Sequence, residues 1–335
     1  GGGRAALNDV IVRGVRENAA GDFGRGLHVE DAGTLNGQRI LVDDCRELGV
    51  YGSSAGAEVV LADLIVRGTR PRIGDGAGGR GVQFQWGVTA TIERAVLENN
   101  VGFGLMAAAE GTVVTVRDVA ILNTDEGGAT DPGRGAEVLL GARLDLERVR
   151  IENSHDIGYG ISGSASTASH LAVVGTKPTT RNGWYGRGIA VIGAEAVLDG
   201  DHVRVADNTE IGVYVGTGTV TLRDAEVVRT NPQPCTVDCM GRTGGFGVLV
   251  ISDGTVTMSR FTVSENALAG LALVGGRAPL DNGTIAGHPV GIYAAENADA
   301  VANDLREVEL ESNDRNFDSA ALPIPDASIA GTVDF

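Results

Sequence analysis

Short runs of apolar residues, separated by glycine, asparagine and aspartate, recur along the whole chain. In each copy an apolar residue is followed by a second one three positions later and by a third two positions after that, as in Leu146, Val149 and Ile151. Clear copies begin at Leu7, Leu61, Ile92, Val116, Leu146, Leu222, Met258 and Leu305. Looser copies begin at Leu35, Ala168, Leu198 and Leu280, and those at Leu35 and Leu198 are longer than the others. Because the runs are too short and too weakly periodic for helices, they predict short β-strands.

The spacing of these copies predicts a solenoid. Consecutive copies begin 22 to 36 residues apart, and a strand repeated at such an interval pairs with its counterpart in the next repeat. Each of the twelve coils would hold a strand led by glycine, the run described above, and a third run that ends in asparagine or aspartate. We therefore predict an all-β chain in which three parallel sheets enclose a continuous apolar column.

The asparagines add a family resemblance. The third run ends in Asn99-Asn100 in one coil, and similar endings occur at Asn153, Asn208, Asn266 and Asn313. Units of this form resemble the right-handed parallel β-helix repeat family, the pectate-lyase-like solenoids. The resemblance covers residues 1–315 and implies that stacked asparagines hydrogen-bond along the coil axis. Residues 316–335 would form a C-terminal tail that could cap the last coil.

Charge and composition exclude two classes of partner. The formal net charge is -17, and the 27 basic residues form no basic block. Such a chain repels phosphate backbones, so we expect no nucleic-acid binding. No apolar run reaches the length of about 18 residues that a membrane helix needs, so no membrane insertion is expected.

Long insertions fall in alternate coils and at one place in the coil, after the third run and before the glycine-led strand. They are residues 67–79, 123–133, 175–186 and 229–245. Adjacent coils lie about 4.8 Å apart, so these loops should emerge about 10 Å apart along one edge. Stacked insertions on one face of a repeat protein commonly form its binding face.

A row of arginine and aromatic residues follows directly after these loops and the shorter turns between them. It consists of Arg80, Phe103, Arg134, Tyr159 and Arg187. Aromatic rings stack on sugars and guanidinium groups bind carboxylates in a bidentate manner, so this row would suit a sugar chain. In the alternative interpretation, the arginines pair with loop acids such as Asp75, Glu126 or Asp131.

The loops themselves supply five further predicted ligand contacts: Arg72, Asp125, Arg181, Trp184 and Tyr185. The two aromatic residues lie in a glycine-flanked segment, and exposed rings of this kind usually meet a partner. In the alternative interpretation, both rings fold back and cover the edge of the solenoid.

The sequence supports catalytic motifs less well than it supports a binding edge. Asn123-Thr124-Asp125 resembles the first motif of pectin-hydrolysing β-helix enzymes, but the further motifs of that family do not follow it. A lyase of this fold would have Glu137 and Arg134 as its best candidates. Glu137 is the one carboxylate among eleven inferred outward positions of the glycine-led strands, so we predict no metal site, no cofactor and no catalytic residue.

The three cysteines divide into two kinds. Cys235 and Cys239 lie close together in the longest loop, without histidines that would complete a zinc site. We predict that they form a disulfide, which implies an oxidising compartment. Cys45 is predicted to be a buried free thiol.

Two classes of function remain open. The main prediction is a non-enzymatic extracellular or cell-surface protein that binds a polysaccharide or a surface protein along the loop edge. The alternative is a carbohydrate-active enzyme, a polysaccharide lyase or a glycoside hydrolase, of the same fold. Convergence of acids and a base beside the loops would favour the enzyme.

Overall fold

The computed structural model describes residues 2–127, 131–234, 243–295, 301, 303–320 and 322–324. Within them, strands alternate between two parallel sheets of twelve strands each. Each strand pairs with the strand two places away in the chain, which is the pairing of a solenoid. The predicted fold class, a right-handed parallel β-helix of twelve coils, is confirmed.

Long and short strands take turns along the chain. Sheet A contains the longer strands β1 (Arg4–Arg13), β3 (Thr34–Asp43), β5 (Glu58–Arg67), β7 (Thr89–Glu98), β9 (Val113–Leu122), β11 (Arg143–Glu152), β13 (Ala165–Val174), β15 (Val197–Ala206), β17 (Thr219–Val228), β19 (Thr255–Ser264), β21 (Leu280–Ala286) and β23 (Leu305–Glu311). Sheet B contains the shorter strands β2 (Leu27–Val29), β4 (Leu48–Ser53), β6 (Arg80–Gln85), β8 (Phe103–Ala108), β10 (Arg134–Leu139), β12 (Ile157–Ser162), β14 (Arg187–Ile192), β16 (Ile211–Val215), β18 (Phe246–Ile251), β20 (Ala269–Val274), β22 (Val290–Ala294) and β24 (Arg315–Asp318).

The prediction of three sheets is wrong, because the second and third runs of each coil form one bent strand of sheet A. A residue with positive φ lies at the bend, such as Asp9 with φ of 56° in β1. Aspartate and asparagine tolerate this conformation better than most residues. In β5, where Asp63 lies at the bend, Leu61 before it and Leu64 after it are both buried.

The apolar column follows the predicted register. Leu61 pairs with Ile92, Ile92 with Val116, and Val116 with Leu146, and all four side chains are buried. These contacts exclude water from side chains that no single coil could cover.

Two coils have a glycine where the others have an apolar anchor. Gly37 pairs with both Leu7 and Leu61, and Gly200 pairs with Leu222. The extra length predicted in these coils is therefore absent. A Cβ atom on Gly37 would lie 2.7 Å from a methyl carbon of Leu61, so the neighbouring leucine occupies the space that the glycine leaves.

Asparagines hold the turns after sheet A, as the family resemblance implied. The side chains of Asn99, Asn123 and Asn153 form a ladder in which the amide of each donates to the carbonyl of the one before, at 3.4 and 3.2 Å. Asn100 is buried, accepts the backbone N–H of Thr69 at 3.0 Å and donates to the carbonyl of Val66 at 3.1 Å. It thereby satisfies backbone groups that would otherwise be buried without partners.

A second ladder runs along the outer surface of sheet A at the bend positions. Aspartate and arginine alternate there from coil to coil and form bidentate ion pairs. The pairs are Asp9–Arg39, Asp63–Arg94, Asp118–Arg148 and Asp224–Arg260, with shortest distances of 2.6 to 2.7 Å. The guanidinium group is the largest cause that lowers the pKa of each of these aspartates.

His288 occupies the place in its coil that threonine holds in others, because its backbone N–H donates to Asn313 as that of Thr69 does to Asn100. The buried ring accepts from the Asn266 N–H at Nδ1 and donates to the Val263 carbonyl from Nε2, both at 3.1 Å. Burial lowers the pKa of this imidazole.

We expect His288→Thr to reduce the acid sensitivity of the protein. Because the pKa of His288 is lower in the folded protein than in the unfolded chain, the unfolded chain takes up the proton at a higher pH. The contribution of neutral His288 to stability is therefore fully present above about pH 6.5 and is lost as the pH falls through the pKa of folded His288. Chemical denaturation at about pH 7 and pH 5 should show a smaller loss of unfolding free energy in the variant. An equal loss in both proteins would contradict this assignment.

The chain divides into two compact units. The N-terminal unit contains the described part of 2–155 and 164–167, and the C-terminal unit contains the described part of 156–163 and 168–324. Each carries its own stretch of buried core. Among the described residues, no helix has the length and apolar character needed to cross a membrane.

Candidate functional site

Long loops leave the coil where the sequence predicted, between a strand of sheet A and the next strand of sheet B. They follow β5, β9, β13 and β17, whereas the turns after β3, β7, β11 and β15 are short. The connection between β1 and β2, residues 14–26, is a fifth long loop that the prediction missed. Long loops therefore alternate with short turns from the first coil.

In the N-terminal unit, the predicted row of Arg80, Phe103 and Arg134 is buried, with exposures of 8%, 0% and 1%. Arg134 forms a salt bridge with Glu137 at 2.7 Å. Arg80 donates to Gln83 at 2.7 Å and lies over the ring of Phe103.

The same row is buried in the C-terminal unit, where Tyr159 and Arg187 have no exposed surface. Nε of Arg187 lies 2.5 Å from an oxygen of Glu210, and its guanidinium lies over the rings of Tyr185 and Tyr214. Buried arginines need such partners, since an isolated charge is costly to desolvate. The structure thus favours the alternative in which the arginines pair with acids, mostly acids other than those predicted.

The five predicted loop contacts differ in exposure. Asp125 has 69% of its side chain exposed, and Arg181 is also exposed. Arg72 is partly buried and pairs with Asp75 at 2.6 Å. Trp184 is partly buried and packs edge-on against Tyr185, which is only 5% exposed. Contact of any of them with a ligand stays a prediction.

The cysteine predictions have separate outcomes. Cys45 is a buried free thiol as predicted, and burial raises its pKa. Cys235 and Cys239 lie outside the described residues, so their disulfide stays a prediction.

One outward-facing row crosses five neighbouring strands of sheet B in the N-terminal unit. The parallel register aligns His28, Tyr51, Gln83, Met106 and Glu137. Exposure falls steeply along it: the His28 side chain is 29% exposed, whereas the other four residues are at most 7% exposed. A ligand can therefore reach this row at its His28 end.

Five residues meet at that end and are called the His28 cluster here: Arg25, His28, Glu47, Tyr51 and Arg72. Loop 14–26 supplies Arg25, which forms a bidentate salt bridge with Glu47 at 2.9 and 3.1 Å. Glu47 also lies 3.4 Å from Arg72 of the next long loop. One carboxylate thus holds two guanidinium groups in place.

The rings of the cluster pack on each other and on a cation. The centroids of the His28 and Tyr51 rings lie 5.0 Å apart, and the Arg25 guanidinium lies 4.4 Å above the Tyr51 ring. The Tyr51 hydroxyl accepts a hydrogen bond from Gln85 at 2.7 Å, and Gln85 in turn accepts one from Gln83. This buried chain fixes the tyrosine ring against which His28 packs.

The surroundings of His28 lower the pKa of its imidazole. Burial is the largest cause, and the Arg25 cation lowers the pKa further, while Glu30 and Glu47 act in the opposite direction. Nε2 of His28 lies 3.4 Å from Nη1 of Arg25 and 3.2 Å from a carboxylate oxygen of Glu30. In its neutral form, an imidazole beside a guanidinium group can take a proton from a carbon next to a bound carboxylate.

No protein-family model matches the sequence, and no curated protein does. Among solved structures, the fold is similar to an alginate lyase from a Paenibacillus species, with 13% identity, a TM-score of 0.44, and coverage of 78% of this chain and 93% of the lyase. It is also similar to the A-module of an Azotobacter vinelandii mannuronan C-5 epimerase, with 12% identity, a TM-score of 0.45, and coverage of 98% and 91%. The likeness is one of fold. It assigns no role to any residue of this chain.

The main functional prediction is corrected here. Most of the similar structures are carbohydrate-active enzymes, including the lyase, two epimerases and an α-1,3-glucanase, whereas the main prediction was a non-enzymatic binding protein. The predicted binding row is also largely buried, so it offers little surface to a partner.

Proposed function

We propose that this protein is an extracellular or cell-surface carbohydrate-active enzyme that cleaves an acidic polysaccharide by β-elimination at the His28 cluster. The observation that carries the proposal is the partly exposed His28 ring, packed on Tyr51 and 3.4 Å from the Arg25 guanidinium. A base beside a cation is what proton abstraction next to a sugar carboxylate requires.

The proposed reaction needs one proton carrier. The neutral imidazole of His28 takes the proton from C5 of a uronate, next to its carboxylate. The electron pair left on C5 forms the C4=C5 double bond as the bond from C4 to the glycosidic oxygen breaks. The imidazolium then returns the proton to that oxygen, so the products are a new chain end and an unsaturated uronate.

The other members of the cluster bind the uronate carboxylate and position His28. Nη1 of Arg25 faces His28, while its Nε and Nη2 bind Glu47. This guanidinium can stabilise negative charge that develops on the uronate carboxylate during proton abstraction. Tyr51 acts as a positioning residue because its ring supports both His28 and Arg25. Arg72 and Asp125, exposed or partly exposed on long loops of the same unit, are proposed contacts for neighbouring sugars.

We expect the parent protein to release unsaturated uronate from at least one polyuronate, and His28→Gln to lower the turnover about 100-fold or more. The rate should fall as the pH drops through the lowered pKa of His28, because protonation removes the base. Arg25→Gln removes a cation that lowers this pKa, so its pH profile should shift toward higher pH. Product absorbance and reducing ends are measured on a panel of acidic and neutral polysaccharides.

Arg148→Gln is the matched control, because it changes an exposed arginine of the sheet A ladder. It should keep the turnover and the pH profile of the parent. Release of reducing ends without unsaturated product would contradict elimination, and parent-like turnover of His28→Gln would contradict the assigned base. Absence of cleavage across the whole panel would contradict the enzyme proposal.

A further inference from the structure

The aspartate–arginine ladder on sheet A is interrupted by a pair of histidines. At the bend positions of β13 and β15, where the four ladder pairs carry an aspartate and an arginine, the residues are His170 and His202. Both have the positive φ of the other bend residues, at 53°. The two imidazoles stack with centroids 4.7 Å apart and planes 10° from parallel.

This histidine pair does not reproduce the ion pairing of the ladder. Two imidazoles carry no opposite charges, and two imidazolium ions would repel each other at this distance. Imidazole nitrogens are also common ligands for transition metals.

Carboxylates complete the arrangement. Asp201 lies 2.7 Å from Nδ1 of His202, and Asp224 follows on the next strand of the sheet. One ligand atom each from Asp201, His202 and Asp224 lies within 4.8 Å of the others. Side chains at this spacing need only small rotations to reach the metal distances of about 2.0–2.2 Å.

The site is open to an ion from solvent. The side chains of His202, Asp201 and Asp224 are 55%, 39% and 32% exposed, so water can fill the remaining coordination positions. An imidazole with two carboxylates suits Zn²⁺ and its neighbours in the first transition row, whereas Ca²⁺ and Mg²⁺ prefer oxygen ligands alone.

We propose that Asp201, His202 and Asp224 bind one zinc-class divalent cation on the outer face of sheet A. His170 lies outside this ligand set and holds the His202 ring by stacking. This site belongs to the C-terminal unit and is independent of the His28 cluster and of the proposed lyase reaction.

Arg260 limits the affinity of the proposed site for its cation. It binds both oxygens of Asp224 at 2.8 and 2.6 Å, so it competes with the cation for that carboxylate. Removing the competitor should strengthen metal binding, which is the opposite of what removal of a ligand does.

The test titrates Zn²⁺ into the full chain by calorimetry, in a background with Cys235→Ser and Cys239→Ser so that these thiols bind no zinc. We expect one equivalent of Zn²⁺ to bind and Ca²⁺ not to bind. His202→Asn and Asp224→Asn should each weaken zinc binding about tenfold or more, and Arg260→Gln should strengthen it severalfold. Imidazole NMR signals of His202 should shift on zinc addition.

His202→Asn is chosen because asparagine occupies the same bend position at Asn282, with φ of 52°. Asp118→Asn, at the same position of a ladder pair without histidines, is the matched control and should bind zinc like the parent. The proposal is overturned if the parent binds no zinc below millimolar concentration, or if His202→Asn and Asp224→Asn bind it as tightly as the parent.

Discussion

Replacing Leu146 with aspartate is expected to prevent stable folding. Leu146 is 2% exposed and pairs with Val116 in the apolar column. Loss of a buried leucine costs about 2–5 kcal/mol even when alanine replaces it. A carboxylate without a partner adds a desolvation penalty of several kcal/mol, and the sum approaches the whole stability of a typical domain, about 5–15 kcal/mol.

Leu140→Asp provides the matched control for this substitution. The same chemical change is made in the same unit, but Leu140 is 52% exposed and has φ of 57°. Aspartate tolerates positive φ better than leucine does, so this variant should melt at or above the temperature of the parent. Circular dichroism melting of both variants is the measurement. A melting temperature of Leu146→Asp close to that of the parent would refute the register.

Glu210→Gln is expected to lower the unfolding free energy by about 3 kcal/mol, because it removes the charged partner of a buried guanidinium. Arg187 is fully buried and its Nε lies 2.5 Å from the Glu210 carboxylate. Glutamine keeps the shape of glutamate, so the loss would report on charge and not on packing. Urea denaturation gives the difference.

Two further variants make this prediction specific. Glu226→Gln changes the exposed partner of Arg204 in the same unit, and surface pairs contribute about 0–1 kcal/mol. The double variant Arg187→Met/Glu210→Gln removes the buried cation as well and should recover most of the loss. If Glu210→Gln and Glu226→Gln have equal effects, the buried pair has no special structural role.

The solenoid could be predicted from the sequence because its causes are local. Alternating apolar residues, the asparagine at the turn and the repeat length are each visible within one coil, and stacking identical coils determines the rest. This reasoning placed Leu61, Val116 and Leu146 correctly in one buried column. It also placed the long loops correctly, between a strand of sheet A and the next strand of sheet B.

The burial of the arginine row could not be predicted in the same way. Charged side chains are seldom fully buried, so a row of arginines beside loops suggested an exposed edge. The acid that neutralises Arg187 is Glu210, which lies 23 positions further along the chain in a neighbouring short turn. No local motif links the two residues, and only the coil register brings them together.

The His28 cluster depends on loop 14–26, which was not among the four insertions predicted from the repeat spacing. Of its five residues, Arg72 alone was a predicted ligand contact. Loop 14–26 and the short turn that carries Glu47 converge only in three dimensions. The signal available in the sequence was the alternation of long and short connections, which extends back to the first coil.

The two alternations described for this protein, long loops with short turns and aspartate with arginine, have the same phase. Coils with long loops carry the aspartates Asp9, Asp63, Asp118 and Asp224, and the following coils with short turns carry their arginine partners. Within the ladder, loss of a short-turn coil would therefore bring aspartate beside aspartate and stack one long loop directly on another, and loss of a long-loop coil would bring arginine beside arginine. The smallest module that can be inserted into or deleted from the ladder without a like-charge clash is a pair of coils, so the ladder can be lengthened or shortened only in even steps.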